Sequence, residues 1–241
     1  MKAQERRHLK ENDFAATTLQ VMDFVRTNRD RVVLIGAAAA VVLAIGGGYA
    51  YWHKHTNDEA GALLGVAMAV AQSPIVPPPT VPGATQTPGT YPSDQTRQEA
   101  AVQAFQQVIA QYPATPAGLT ARYQLGVALM ALGKLSDAEQ AFTAVSSQAG
   151  SSSLYGAMAR LARAIALRDE GKYDDAIKAL TDLAAERDSA LPIDGVLMQL
   201  AEACLKAGKT QEARAAFKRV VDEFPDSAYV TAARQQLATL G

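Results

Sequence analysis

The second half of the chain repeats itself with a period of 37 or 38 residues. One position of the period is alanine, followed four residues later by Phe or Leu and seven residues later by Val or Leu. The copies are Ala101-Phe105-Val108, Ala138-Phe142-Val145, Ala176-Leu180-Leu183 and Ala213-Phe217-Val220. Apolar residues at this spacing share one face of a helix. Helices repeated at a fixed period bury that face by stacking on their neighbours. This part of the chain is therefore predicted to be an all-α stack of helix pairs.

A glycine precedes three of these alanines by five residues, in the sequences LGKLSDA, EGKYDDA and AGKTQEA. Because glycine readily adopts the left-handed conformation that ends helices, it predicts a break between two helices. We predict helix–turn–helix units at residues 119–152, 157–190 and 194–227, and a capping helix at 227–240 that covers the last apolar face.

The units resemble the tetratricopeptide repeat, a helix–turn–helix motif of about 34 residues. Prolines that close the motif occur at Pro113 and Pro225, whereas no tryptophan begins a unit and the period is longer by three or four residues. The resemblance implies a short helical solenoid that binds proteins.

Seven of the eleven prolines lie between Pro74 and Pro92. Proline removes a hydrogen-bond donor and fixes φ, so residues 73–96 are predicted to be a Pro-rich loop. We predict helices at 57–72 and 95–112 on either side of it, as a first unit whose turn carries an insertion.

A second constraint is the uncharged segment Val32–Trp52. As a helix its 21 residues span about 31 Å, close to the roughly 30 Å hydrocarbon core of a bilayer. The alternative is a cleaved signal peptide, but the apolar run exceeds the usual 7–15 residues and follows a long leader. We expect a leader at 1–31, a transmembrane anchor at 32–52 and a repeat domain at 53–241.

The charges flanking this segment predict its orientation. Seven Lys/Arg precede it, whereas Lys54 is the only one within residues 53–96. The positive-inside rule then places the N-terminus in the cytoplasm and everything after Trp52, including the repeat domain, on the outer side of the membrane. Aromatic residues suited to the headgroup level cluster at the exit: Tyr49, Tyr51 and Trp52. The leader itself has helical apolar spacing, predicting an amphipathic helix through Phe14, Thr18, Val21, Met22 and Val25.

Small residues recur every four positions within the predicted anchor: Gly36, Ala40, Ala44 and Gly48. Such a stripe permits close packing against another transmembrane helix of a membrane protein complex. The alternative is that an anchor rich in Gly and Ala produces such a stripe by composition alone.

The residues that most catalytic and metal sites require are scarce. The histidines are His8, His53 and His55, and Cys204 is the only cysteine, so the composition argues against a disulfide framework and a cysteine-ligated metal. Neither a phosphate-binding loop nor a haem attachment motif occurs, and the net charge of −1 offers no argument for nucleic acid. We therefore predict no catalytic, cofactor or metal site, and no enzyme.

Binding would use the concave face built by the leading helices of the units. The predicted groove residues are those that packing within a unit does not use: Tyr123, Val127, Met130, Met158, Leu161, Ile165, Met198, Glu202 and Leu205. This apolar set favours a groove for hydrophobic protein segments or a partner helix. Alternatively, neighbouring repeats bury much of it. A basic clamp for acidic peptides is not predicted, because only Arg168 and Lys206 lie near the groove.

A charged leader, an anchor ending in Tyr51-Trp52-His53-Lys54 and external repeats together resemble the YfgM-type ancillary subunit of the bacterial Sec translocon. In that family the anchor associates with the translocon, and the repeats work with a membrane-bound prolyl-isomerase-like chaperone. The resemblance implies a bacterial inner-membrane location with the repeat domain in the periplasm, and a role in envelope-protein biogenesis. The alternative is a structural accessory subunit of a large inner-membrane complex, respiratory, photosynthetic or other.

Overall fold

A computed structural model describes residues 26–78, 85–150, 153–186 and 190–241. The chain divides into two compact units, Met1–His55 and Thr56–Gly241. The predicted amphipathic helix through Phe14, Thr18, Val21, Met22 and Val25 lies outside the described residues.

Helix α1 runs Arg29–Ala71, 43 residues. Every described side chain from residue 33 to residue 55 is exposed. The helix is long and apolar enough to cross a membrane, a property that signal sequences share. The predicted anchor at 32–52 and the helix predicted at 57–72 are parts of one continuous helix, which ends at Ala71. The polar residues 53–56 include no proline or glycine that would end it.

The second unit continues with further helices. They are α2 Asp94–Gln111, α3 Pro116–Ala131, α4 Leu135–Ala149, α5 Leu154–Asp169, α6 Tyr173–Ala184, α7 Ile193–Lys206, α8 Thr210–Glu223 and α9 Val230–Thr239. From α2 to α9 each helix packs on the next, and α5 also contacts α3 and α7. The pairs α3–α4, α5–α6 and α7–α8 correspond to the units predicted at 119–152, 157–190 and 194–227, and α9 falls within the predicted capping helix.

The core is built from the residues that define the sequence period. Ala101, Ala138, Ala176 and Ala213 are each 0% exposed, and the Phe or Leu four residues later is buried in every copy. The end of α1 joins this core, because Ala67 packs in one cluster with Phe105 of α2 and Ala121 of α3. The prediction that these positions form the buried face is confirmed.

The turns within the pairs end at glycine, as predicted. Gly133, Gly171 and Gly208 have φ of +70°, +89° and +73°. In the first turn the Gly133 amide donates to the Met130 carbonyl (2.9 Å), and the Lys134 amide donates to the Leu129 carbonyl (2.9 Å). This is the Schellman motif, which satisfies carbonyls left open at a helix end. The other two turns repeat both bonds.

The described ends of the Pro-rich loop are tied together. The Val76 amide donates to the Tyr91 carbonyl (2.9 Å), and the Tyr91 amide donates to the Pro74 carbonyl (3.0 Å). Ile75 and Tyr91 form an isolated parallel bridge. Ser93 then caps α2 by accepting from the Thr96 amide, so this helix begins inside the range predicted as loop.

Candidate protein-binding surface

The leading helices α3, α5 and α7 lie side by side and form one surface, because α5 contacts both of the others. The hydroxyls of Thr120 on α3 and Tyr155 on α5 are 3.2 Å apart. This surface, hereafter the groove surface, carries the predicted groove residues.

The predicted set differs in exposure from one residue to the next. Val127 is 43% exposed, whereas Met198 is buried at 8%. The remaining seven are half-buried: Tyr123, Met130, Met158, Leu161, Ile165, Glu202 and Leu205. Val127 therefore has the highest exposed fraction of the predicted groove residues.

Several members of the set also belong to the core. The Tyr123 ring lies 5.5 Å from the Phe142 ring, centroid to centroid, and burial raises the pKa of its hydroxyl above the usual 10.0. Leu161 and Leu205 pack against the cluster that contains Met198. The prediction that packing within a unit does not use Tyr123 is wrong, because Phe142 belongs to the same unit, whereas Leu161 is partly covered by the neighbouring repeat.

A charged network crosses the groove surface between α5 and α7. The Arg168 side chain is 11% exposed. Its Nη1 donates to Gln199 Oε1 (2.7 Å) and Glu202 Oε2 (2.9 Å), and its Nε donates to Asp169 Oδ1 (2.9 Å). Lys206 Nζ donates to the same Asp169 oxygen (3.1 Å). Glu202, predicted as a groove residue, is therefore paired within the chain.

The same network explains the electrostatics of the groove surface. Burial tends to raise the pKa of Asp169, but hydrogen bonds and charges from Arg168 and Lys206 outweigh it and leave the pKa below 3.8. The two cations near the groove are thus matched by Asp169 and Glu202. This pairing agrees with the prediction that no basic clamp is present.

One further exposed apolar residue, Val66, was not predicted from the sequence. Val66 near the end of α1 is 62% exposed. It lies in the tetrapeptide LGVA at 64–67, which recurs at 125–128 and contains Val127 there. The alanines that end the two copies are both buried, and the two valines are both exposed. The repeated tetrapeptide was the available signal, hidden because the Pro-rich insertion lengthens the first period.

The trailing helices carry a second charged cluster. Glu139 of α4 accepts from Arg163 Nη2 (2.8 Å) and Lys172 Nζ (3.4 Å). A cavity of about 380 Å³ opens beside it, with Asp175 and Lys178 also in its wall. Acidic and basic side chains alternate around this cavity, so it has no single charge preference.

Two further predictions concern metals and thiols. Among the described residues, no three His, Cys, Asp or Glu side chains are grouped so as to hold a metal ion. Cys204 is buried, with its Sγ 3.9 Å from Glu212 Oε2. Burial and then the Glu212 charge raise the pKa of the thiol, so it stays protonated as a core residue.

This architecture defines an all-α repeat protein, and its family follows from comparison. Models described as tetratricopeptide repeat match residues 94–161 and 161–228, which together exceed half of the chain. The chain is a tetratricopeptide-repeat protein. Such repeats are protein–protein interaction modules, and their proteins are in general non-enzymatic scaffolds.

The chain is similar to solved structures of other repeat proteins, one of them with a TM-score above 0.5. The chain is similar to a crystal structure of the nearly identical TPR-like repeats of a putative kinesin light chain from Podosopora anserina (18% identity, TM-score 0.57), covering 77% of this chain and 86% of that one. A tetratricopeptide repeat protein from Parabacteroides merdae matches with 16% identity and a TM-score of 0.48 over 61% of this chain. The chain spans 55% of that relative's length. Among curated proteins, no sequence matches significantly.

Proposed function

We propose that the protein is a single-pass protein of a bacterial inner membrane whose periplasmic repeats bind protein segments emerging from the Sec translocon. The observation that carries this proposal is the pairing of an exposed apolar helix segment, at 32–52, with a protein-binding repeat array that follows it.

The exposed apolar segment supports the membrane part of the proposal. Large apolar side chains such as Leu34 and Leu43 are about three-quarters exposed, and no described helix covers them. Exposed apolar area of this extent is costly in water and favourable in a bilayer. The excess of Lys/Arg before the segment supports an orientation with the repeats outside.

The groove surface supports the partner part of the proposal. Val127 of α3 is exposed, and half-buried Met158 and Ile165 lie on the leading helix α5. Flexible and branched apolar side chains accept varied apolar sequences, which is what newly translocated chains present before they fold. Because Arg168 and Glu202 pair with each other, their charges favour neither an acidic nor a basic partner.

Purification from native membranes in a mild detergent tests this function. We expect the intact chain, by mass, together with substoichiometric translocon and a membrane-bound prolyl-isomerase-like chaperone. A fixed stoichiometry with a different membrane complex would instead identify an accessory subunit. A mature chain lacking residues 1–52 would show that the apolar segment is a signal peptide.

The orientation has its own test by thiol labelling of cells. Cys204 is the only cysteine in the chain, so the Cys204→Ala background removes the native thiol. In it, Thr87→Cys should react with a membrane-impermeant maleimide from the periplasmic side, whereas Lys10→Cys should react only after the membrane is permeabilised. The reverse pattern would refute the proposed topology.

A further inference from the structure

A band of hydrogen-bond donors surrounds α1 where the apolar segment ends. Between residues 49 and 55 every side chain except that of Ala50 carries an N–H or O–H group. These six residues, the donor collar, are Tyr49, Tyr51, Trp52, His53, Lys54 and His55. All six are exposed, Trp52 at 61%.

The donor collar encircles the helix. At about 100° per residue, its six positions leave no gap wider than about 100° around the axis. The rings form two groups: Tyr49 lies 6.2 Å from Trp52 and 5.9 Å from His53, while Tyr51 stacks on His55 at 6.2 Å with an angle of 12° between their planes. A helix that binds one protein partner concentrates its contacts on one face, whereas donors on all sides suit a ligand that surrounds the helix.

Within the donor collar Lys54 is the only formally charged side chain, and the first acidic residues, Asp58 and Glu59, follow one helical turn later. No Asp or Glu occurs between Asp30 and Asp58, and Lys54 lies in the middle of the collar. Lipid phosphates are negative and only accept hydrogen bonds, so they complement these side chains. A metal ion fits poorly, because an ammonium group lies between the two histidines.

We propose that the donor collar binds the phosphate groups of lipid headgroups in the outer leaflet and prefers anionic phospholipids. The apolar residues before it occupy the hydrocarbon, and the donors engage the headgroups at the level where the span ends. This inference rests on the proposed membrane anchoring and adds the class of lipid recognised.

Trp52 supplies the test, since it is the only tryptophan in the chain. The full-length protein is reconstituted in vesicles of phosphatidylcholine and phosphatidylglycerol, with one or the other lipid brominated to quench Trp52 fluorescence. We expect brominated phosphatidylglycerol to be favoured over brominated phosphatidylcholine by about fivefold at low salt, the factor for one lysine at an anionic surface.

A variant that removes hydrogen-bond donors but keeps the aromatic rings tests whether the donors cause the lipid preference. Tyr49→Phe, Tyr51→Phe and Lys54→Met together should bring the preference close to one while Trp52 remains quenched. The matched control makes the same kinds of change at the exposed residues Tyr155, Tyr229 and Lys178, and should keep the preference.

The outcomes distinguish failure of the donor-collar proposal from failure of the proposed membrane anchoring. Equal quenching by both lipids in the unmodified protein, or an equal loss of preference in the control, would overturn the donor collar while leaving the anchor intact. Absence of quenching by either lipid would overturn the membrane anchoring itself.

Discussion

At Gly126 the absence of a side chain lets two helices approach closely. A Cβ at this position of α3 would lie 2.6 Å from the ring of Phe142, which is fully buried on α4. Gly65 occupies the equivalent place in the first copy of LGVA, yet a Cβ there would meet nothing within 4 Å. The two glycines therefore have different roles despite identical neighbours in sequence.

Gly126→Ala should destabilise the repeat domain by about 1–3 kcal/mol, because the added methyl overpacks the Phe142 contact. Gly65→Ala is the matched control and should be neutral or stabilise by about 0.5–1 kcal/mol, since alanine favours a helix. Thermal unfolding of the full-length protein in detergent, followed by circular dichroism, measures both. Equal melting temperatures for the two variants would contradict the packing at Gly126.

Glu139 makes the stability of the fold depend on pH. Burial raises the pKa of its carboxyl, but Arg163 and Lys172 lower it more, so the net pKa lies below 4.5. The unfolded chain then binds more protons in acid, so this stabilisation is full above about pH 4.5 and is lost as pH falls through the folded-state pKa.

Glu139→Gln should cost about 1 kcal/mol or less at neutral pH and flatten the loss of stability below about pH 4.5. Urea unfolding at neutral and acidic pH measures this. Glu99→Gln, at an exposed position of α2, is the control and should keep the acid dependence. An unchanged acid dependence in Glu139→Gln would refute the role of this ion pair.

Between elements, Arg168 joins the second and third helix pairs. Its bonds to Gln199 and Glu202 cross from α5 to α7, whereas Arg219 bonds Glu223 within α8. In a repeat array, stability depends on the interfaces between neighbours as well as on each repeat. A side chain that bridges two pairs therefore affects their cooperation.

Arg168→Ala should lower the free energy of unfolding by about 1–3 kcal/mol, because it leaves Glu202 and Asp169 without their shared cation. Arg219→Ala removes a pair within one helix and should cost about 0.5 kcal/mol or less. Hydrogen exchange resolves the effect, with faster exchange expected in α7 and α8 than in α3 and α4. A uniform change across the repeats would argue against an interface role.

At the scale of the whole molecule, the repeating helix pairs could be predicted from the sequence. The continuity of α1 and the side-chain pairs between repeats could not. Ala101 and its copies recur on one helix face, so the stacked pairs follow from spacing. The continuity of α1 did not follow, because charge and polarity at His53–His55 mark the limit of an apolar run and not the end of a helix. The pairing of Glu202 depends on the distance between adjacent repeats, which is a tertiary property. The similarity between the tetrapeptides that contain Val66 and Val127 becomes visible only when the Pro-rich insertion is left out of the repeat period.

The predicted packing stripe, Gly36, Ala40, Ala44 and Gly48, is tested in the full-length protein and rests on the proposed membrane anchoring. Ala40→Leu with Ala44→Leu should reduce co-purification with membrane partners several-fold while leaving insertion unchanged, because bulky side chains prevent close helix approach. Ala38→Leu with Ala39→Leu adds the same volume outside the stripe and should retain the partners. Equal recovery from both variants would identify the stripe as ordinary anchor sequence.

The hydrogen bonds joining Pro74 and Val76 to Tyr91 also bear on protein engineering. The two described ends of the Pro-rich loop therefore lie next to each other. The flanking helices do not limit the length of the loop between them. Each doubling of a flexible loop costs only about 0.6 kcal/mol in closure entropy. A fluorescent protein inserted between Thr80 and Val81 should therefore leave the repeats folded, and would report the protein's position in living cells without altering either terminus.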